Sequence, residues 1–265
     1  MLDLSQPKVM AIVNLTPDSF YPESRCPSVD DALRRIDEML TQGADIIDLG
    51  ACSTRPGSES VSASEEWNRL KPVMTLARKK YPDAIISIDT FWSSVADCAV
   101  TEGADIINDI SAGTIDDKMF STVGRLQVPY VLMHMRGTPA TMRQFATYGN
   151  VTAEVMSELS QHLRRLTDCG VHDVIIDPGF GFAKTLEQNY ELFAHLSDFA
   201  VFDKPLLVGI SRKSMIYNLL KIEPNDSLNA TTALNMLALQ AGASFLRVHD
   251  VAEAVQVVKI HQALK

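Results

Sequence analysis

Gly43-Ala44-Asp45-Ile46-Ile47 returns unchanged sixty residues later as Gly103-Ala104-Asp105-Ile106-Ile107. Looser copies follow at Gly170-Val171-His172-Asp173-Val174-Ile175-Ile176 and Gly242-Ala243-Ser244-Phe245-Leu246. Each reads as a helix stopped by glycine in a left-handed cap, then a tight turn into a buried strand. Convergent turn chemistry could write the same pattern, so the repeat supports a fold without fixing it.

Outward from these copies, short apolar runs alternate with helical patterns along the whole chain. The runs lie at 9–14, 45–49, 84–89, 105–109, 128–134, 173–177, 206–210 and 244–248, and the repeat precedes every second one. Helical patterns occupy 28–42, 62–80, 91–102, 115–126, 150–168, 186–200, 212–240 (in one piece or two) and 250–264. Near-continuous Ile, Val and Leu suit strands of a parallel sheet covered on both faces. Eight such strands, with helical crossovers and no Pro/Gly-rich linker, predict one domain over 1–265, a single (β/α)8 TIM barrel in the α/β class. A doubly wound open sheet is the alternative, because strand order cannot be read from one sequence.

Composition limits the partners. The 265 residues carry 24 Lys and Arg against 33 Asp and Glu, a formal charge of −9. Nucleic acid and anionic membrane both call for a basic surface, so neither is an expected partner. Small anionic ligands need only a local cluster of positive charge. The four cysteines are far apart and form no C-x-x-C, which excludes an obvious zinc knuckle and does not suggest a disulfide scaffold. The N-terminus lacks the features of a signal peptide. The longest uncharged stretch, 227–246, is interrupted by polar residues and a glycine, so it reads as a helix followed by a strand rather than a membrane span. The chain reads as cytoplasmic.

What terminates the strands is more informative. Asn14, Asp89, Asn108 with Asp109, His134, Asp177, Ser211, and Arg247 with His249 lie at or just past C-terminal strand ends. One such residue is commonly a loop cap. Seven strands ending this way predict a site, since a barrel brings those ends to one mouth. Asp89, Asn108 and Asp177 suit a flat heterocycle with amino and ring N–H groups. Lys213, Arg247 and His249 are candidate anion binders. Ser211-Arg212-Lys213-Ser214 opens a helix where barrels often hold phosphate. Two polar loops, 16–25 and 51–58, look like lids. Phosphate-loop, dinucleotide, zinc-protease and nucleophile-elbow motifs are absent. Met133 and Met135 fit barrel packing as well as ligand contact. Cys52 has no recognisable base beside it and reads as structural; His162 and His172 read as surface residues.

At these residues the chain resembles the dihydropteroate synthases. The matching motifs are Asn14-Leu15-Thr16-Pro17-Asp18-Ser19-Phe20, Ser53-Thr54-Arg55-Pro56-Gly57, Ile88-Asp89-Thr90, Ile107-Asn108-Asp109 and Leu132-Met133-His134-Met135. They continue with Asp177-Pro178-Gly179-Phe180-Gly181-Phe182-Ala183-Lys184-Thr185, Gly209-Ile210-Ser211-Arg212-Lys213-Ser214 and Arg247-Val248-His249-Asp250. They stand in family order across nearly the whole chain.

The resemblance implies condensation of 6-hydroxymethyl-7,8-dihydropterin pyrophosphate with p-aminobenzoate, giving dihydropteroate and pyrophosphate. It implies that Asp89, Asn108, Asp177 and Lys213 hold the pterin, with Met133, Phe182 and Gly209 shaping its slot. Asn14, Arg247 and His249 would bind pyrophosphate, Asn14 with Mg2+. Phe20, Thr54, Arg55, Pro56, Lys213 and Ser214 would form the p-aminobenzoate site. Asp89, Lys213, Arg247 and Arg55 would carry catalysis, by a dissociative substitution with loop closure. A homodimer and sulfonamide competition for the p-aminobenzoate site are further implications.

Departures from the family fall in the two loops and on one expected helix. Tyr21-Pro22-Glu23-Ser24-Arg25 replaces the usual glycines, Ala51-Cys52 replaces Gly-Glu, and Asn229-Ala230-Thr231-Thr232 replaces a run of small residues. Two rivals share the barrel: a pterin-dependent methyltransferase of the corrinoid type, and a catalytically silent pterin-binding paralogue. The expected resolution of the acidic total is local, with Arg55, Lys213, Arg247, His249 and Mg2+ gathering positive charge at one mouth.

Overall fold

The structure, a computed structural model, describes residues 3–15, 28–52 and 61–264. Phe20, Thr54, Arg55 and Pro56, and most of the two expected lids, lie outside the described residues. The strands are β1 (Lys8–Asn14), β2 (Ile46–Gly50), β3 (Ile85–Asp89), β4 (Ile106–Asp109), β5 (Tyr130–Met133), β6 (Val174–Asp177), β7 (Leu207–Val208) and β8 (Phe245–Val248). The helices are α1 (Val29–Thr41), α2 (Ala63–Lys80), α3 (Ser93–Thr101), α4 (Met119–Leu126), α5 (Val151–Asp168), α6 (Leu186–Ala194), α7 (Ser214–Leu220), α8 (Leu228–Gln240) and α9 (Val251–Ala263).

All strand pairs are parallel, in the order β6-β5-β4-β3-β2-β1-β8-β7. A parallel bridge between Ile176 and Leu206 brings the two ends together. That near-closure establishes the barrel over the open sheet.

The repeat builds the turns expected of it. At Gly43, Gly103, Gly170 and Gly242 the backbone φ is +99°, +99°, +80° and +100°. Each following amide reaches back over the helix end: Ala44 N–H to the Met39 carbonyl, and Ala104 to Ala99, Val171 to Leu166, and Ala243 to Ala238. This is the double-bonded C-terminal cap that a left-handed residue allows. The aspartate of the two identical copies then secures a neighbouring strand. Asp45 accepts the Val9 N–H and Asp105 accepts the Ile86 N–H, both at 2.8 Å.

Alternation sorts each strand into an outward and an inward set. Outward residues such as Val9, Ile47, Ile88, Ile107 and Leu246 pack under the helices. Inward, one apolar residue from every strand (Met10, Ile46, Ile85, Ile106, Val131, Ile175, Leu207 and Phe245) forms a floor. Two residues further along, the inward positions turn polar on β2, β4, β6 and β8, as Asp48, Asn108, Asp177 and Arg247. The apolar floor closes the barrel; the layer above it faces the mouth.

Boundaries shift where turns intervene. β7 is two residues rather than the expected five; the chain leaves the sheet after Val208 and turns at Ser211–Arg212, where the Arg212 φ is +54°, before entering α7. The single pattern over 212–240 divides into α7 and α8 after Lys221, whose φ is +55°, with Pro224 opening the next turn. The expected helix over 186–200 ends at Ala194 and continues as a 3-10 segment, Leu196–Phe202. Among the described residues, no helix is long and apolar enough to cross a membrane.

Candidate active site

The inward polar layer is one connected network. Arg247 Nη2 donates to Asp89 Oδ2 at 2.6 Å, and its Nε donates to Asp48 Oδ2 at 2.7 Å. Asn108 Nδ2 donates to the same Asp48 oxygen at 3.0 Å. These bonds join β2, β3, β4 and β8 across the barrel interior. Asp48 is completely buried, and among the described residues its Oδ1 has no hydrogen-bond partner. Sequence analysis missed Asp48 because it sits inside a strand rather than at its end. The available signal was an aspartate two residues from Ile46 in a run otherwise apolar.

The opposite wall comes from β6 and the β7–α7 turn. Asp177 Oδ1 accepts the Gly179 N–H at 2.7 Å. Lys213 Nζ donates to the Phe180 carbonyl at 2.6 Å and lies 4.9 Å from the Phe182 ring centroid. Gly209 leaves room between these walls: a Cβ there would lie 3.8 Å from the Arg247 Cβ and 3.9 Å from Lys213 Nζ. Met133 is buried beside Phe91, Ile110 and Met135, with Phe182 packed against that cluster. Asp89, Asp177, Lys213 and Arg247 are close enough for their charges to act on one another, and Asn108 is joined to Arg247 through Asp48. Ser214 begins α7 immediately after Lys213.

Burial dominates the electrostatics. It pushes the Asp89 carboxyl up to about 7, against the pull of Arg247. It also raises Asp177, which Lys213 opposes. Lys213 is drawn down to about 8 by burial, against the attraction of Asp177. Burial works against charge on Arg247, but Asp48 and Asp89 more than reverse it and keep the guanidinium protonated.

Four expectations need correction. His249 was expected as a cationic anion binder, but burial, then Arg247, Arg212 and Arg35, push it down to about 3. Ser211 Oγ accepts the His249 backbone N–H at 3.2 Å and lies 3.1 Å from Nδ1, so the hydroxyl can donate there and leave the ring proton on Nε2. Lys213, Arg247 and His249 do gather at one end, yet Asp48, Asp89 and Asp177 accompany them. The described mouth is thus charge-balanced rather than positive, since a buried guanidinium needs counterions. Asp109 faces away from Asn108 and is saturated by Ser111 N–H and Oγ, Gly113 N–H and the Tyr130 hydroxyl. His134 points outward to Glu158 of α5 at 3.0 Å instead of into the mouth.

Smaller expectations divide. Arg212, in the helix-opening segment, is tied to Asp250 at 2.9 and 2.8 Å, a structural pairing. Burial pushes the Cys52 thiol up to about 11, in keeping with its structural reading. His172 is exposed, whereas His162 is half-buried against the edge of Phe120.

Asn14 ends β1 across from Gly50. A Cβ on Gly50 would lie 3.8 Å from Asn14 Oδ1 and 3.7 Å from Asp89 Oδ2, so both oxygens lie close to Gly50. Such hard oxygen donors fit Mg2+, which usually completes its octahedron with water and substrate phosphate. Among the described residues, no three His, Cys, Asp or Glu gather as a metal site.

A family profile described as pterin binding enzyme matches residues 10–249. The chain belongs to the pterin-binding enzymes, consistent with a closed barrel whose polar slot lies above an apolar floor. A relative from Escherichia coli named dihydropteroate synthase is 40% identical over 264 residues, covering 99% of this chain and 93% of that one. The solved structure of Yersinia pestis dihydropteroate synthase with a sulfonamide drug complex has a TM-score of 0.95 at 38% identity, over 99% of this chain and 96% of that chain. Xanthomonas albilineans dihydropteroate synthase with 4-aminobenzoic acid has a TM-score of 0.91 at 38% identity, over 99% and 94% of the two chains. Within its class, this chain is one of the dihydropteroate synthases, transferases of folate synthesis.

Proposed function

We propose that the slot around Gly209 holds 6-hydroxymethyl-7,8-dihydropterin pyrophosphate and that p-aminobenzoate attacks its methylene carbon from the loop side. One observation supports this reading: Asp89, Asn108, Asp177 and Lys213, from four separate strands and turns, gather with Arg247 and Gly209 at one end of the barrel. The two carboxylates accept the amino and ring N–H groups of the heterocycle, and Asn108 can both donate and accept. Met133 and Phe182 cover its apolar faces.

The bond that breaks joins the methylene carbon to a pyrophosphate oxygen, and its electron pair leaves with pyrophosphate. Arg247 steadies the developing charge, and neutral His249 donates from Nε2. Mg2+ held at Asn14 would supply further charge neutralisation on pyrophosphate. Asp89 and Asp177 support the electron-poor pterin carbon in the meantime. The neutral amine then forms the new C–N bond and gives up its proton, so no strong general base is required. Lys213 and Ser214 border the p-aminobenzoate side, which Phe20, Thr54, Arg55 and Pro56 would complete. Sulfonamides would compete there as p-aminobenzoate analogues.

Leu219 and Leu220 of α7, Leu237 of α8 and Ile260 of α9 are about half exposed, which supports a homodimer through this side of the barrel. Light scattering at micromolar concentration should give twice the chain mass. Cytoplasmic residence fits the substrates and four cysteines whose spacing suggests no disulfide scaffold.

Pyrophosphate release tests the activity and separates its rivals. Release with both substrates and Mg2+ should stop when either substrate is omitted. Release without p-aminobenzoate, or none at all, would contradict the reading. Methyl transfer from methyltetrahydrofolate to a corrinoid would favour the methyltransferase instead.

A further inference from the structure

Behind the slot lies a second buried network, centred on Lys184, that takes no part in the reaction above. Lys184 Nζ donates to the Gly179 carbonyl at 2.9 Å and the Phe182 carbonyl at 3.0 Å, and lies 3.0 Å from His134 Nδ1. Three acceptors match the three N–H bonds of an ammonium. His134 Nε2 lies 3.0 Å from Glu158 Oε2, so the imidazole donates its Nε2–H to the carboxylate and presents Nδ1 as an acceptor to the lysine. Arg136 secures Glu158 in turn and stacks 4.0 Å over the Tyr148 ring.

The segment held this way is the one that shapes the slot. It begins at Asp177, turns at Gly179 (φ +71°) and Gly181 (φ +81°), and ends at the Thr185 cap of α6. A Cβ on Gly179 would fall 1.9 Å from the His134 carbonyl, so the turn lies directly against the chain just past β5. Within the segment, the Phe180 carbonyl accepts Lys213 Nζ and the Phe182 ring lies beside it. Lys184 holds the carbonyls on either side of that pair, while Asn189 takes the Gly181 N–H at 2.7 Å.

We infer that Lys184 is a positioning residue: backed by His134 and Glu158, it fixes the 179–182 turn so that the Phe180 carbonyl and Phe182 ring aim Lys213 into the pterin slot. It touches no reacting atom. The inference rests on the pterin reading of Lys213 given above.

Steady-state kinetics of Lys184→Met and Lys213→Met, with each substrate varied in turn, test it. Losing a hydrogen bond to a charged group at this remove should raise the KM for the pterin pyrophosphate roughly tenfold in Lys184→Met. The KM for p-aminobenzoate should rise clearly less, because Ser214, which shares that site with Lys213, is not bonded to Lys184. If Lys184→Met fails to fold, Lys184→Gln retains one carbonyl contact and should shift the same KM in the same direction. A general loss of kcat with both KM values unchanged, in whichever variant folds, would overturn the inference. So would wild-type kinetics. Lys213→Met separates the two readings: an unchanged pterin KM there defeats the role of Lys213 itself. A raised value there, beside an unchanged one in the Lys184 variant, defeats only the positioning role.

Discussion

Two ionic networks are built into the C-terminal side of this barrel, and they are finished to different degrees. Around Lys184, His134, Glu158 and Arg136, each side chain is hydrogen-bonded and the result braces a turn, while burial draws Lys184 down to about 7. Around Arg247, Asp48, Asp89 and Asn108, one arginine serves two carboxylates, and among the described residues an Asp48 oxygen has no hydrogen-bond partner. The first network closes on itself. The second retains an acceptor and perturbed carboxyls at the mouth, where we place the ligand. Leaving buried polar groups short of partners costs stability, and such shortfalls concentrate where ligands bind.

The largest expected effect comes from breaking the mouth network at its centre. Arg247→Met leaves Asp48 and Asp89 buried without their counterion, a loss of about 3–5 kcal/mol in unfolding free energy. The pterin-pyrophosphate kcat/KM should fall by about a hundredfold or more. Adding Asp48→Asn to that variant should restore part of the stability, as urea unfolding would report. A double variant less stable than the single would contradict the charge account.

A smaller effect is expected from crowding the slot without touching a charge. Gly209→Val adds a side chain between Arg247 and Lys213 on a backbone that needs no positive φ. Pterin affinity should fall roughly tenfold by calorimetry, with little change in melting temperature. Unchanged affinity would place the pterin elsewhere.

The outer network should respond chiefly in stability. Glu158 is held down to about 2, burial being outweighed by its bonds to His134 and Arg136, and burial with Lys184 pushes His134 down to about 4. Both folded-state values lie below the unfolded ones. Their contributions are therefore in place at neutral pH and are lost on acidification, His134 between about 6.5 and 4 and Glu158 between about 4.5 and 2. Urea unfolding of Glu158→Gln should show a shallower loss of stability over that range than wild type. Equal slopes would remove Glu158 from the acid response. Arg136→Met, partly exposed, should cost about 1 kcal/mol or less and leave the p-aminobenzoate KM unchanged.

The barrel was legible because its information is local. A glycine cap and a two-residue alternation repeat along the chain, and each copy carries its own turn chemistry. Residues at strand ends were legible for the same reason, since polar groups that end apolar runs are visible without knowing their partners. Asp48 was not, because its meaning lies in bonds to Asn108 and Arg247, which are 60 and 199 residues away. His249 was misjudged in charge, and Asp109 and His134 in direction. Desolvation and the inward or outward phase of a strand depend on the assembled barrel. Lys184 stood within a quoted motif, yet nothing in the motif says that it faces its own turn rather than substrate.

The account turns on Asp89 and Lys213 facing the pterin in opposite charge states, and the pH dependence of kcat/KM for the pterin pyrophosphate reads both in the free enzyme. With Asp89 raised to about 7 and Lys213 lowered to about 8, activity should rise through the first value as the carboxylate forms and fall through the second as the ammonium is lost. Asp89→Asn should lower the maximum and abolish the acidic limb while keeping the basic one. An acidic limb that persists unchanged in Asp89→Asn would contradict the assignment of this slot.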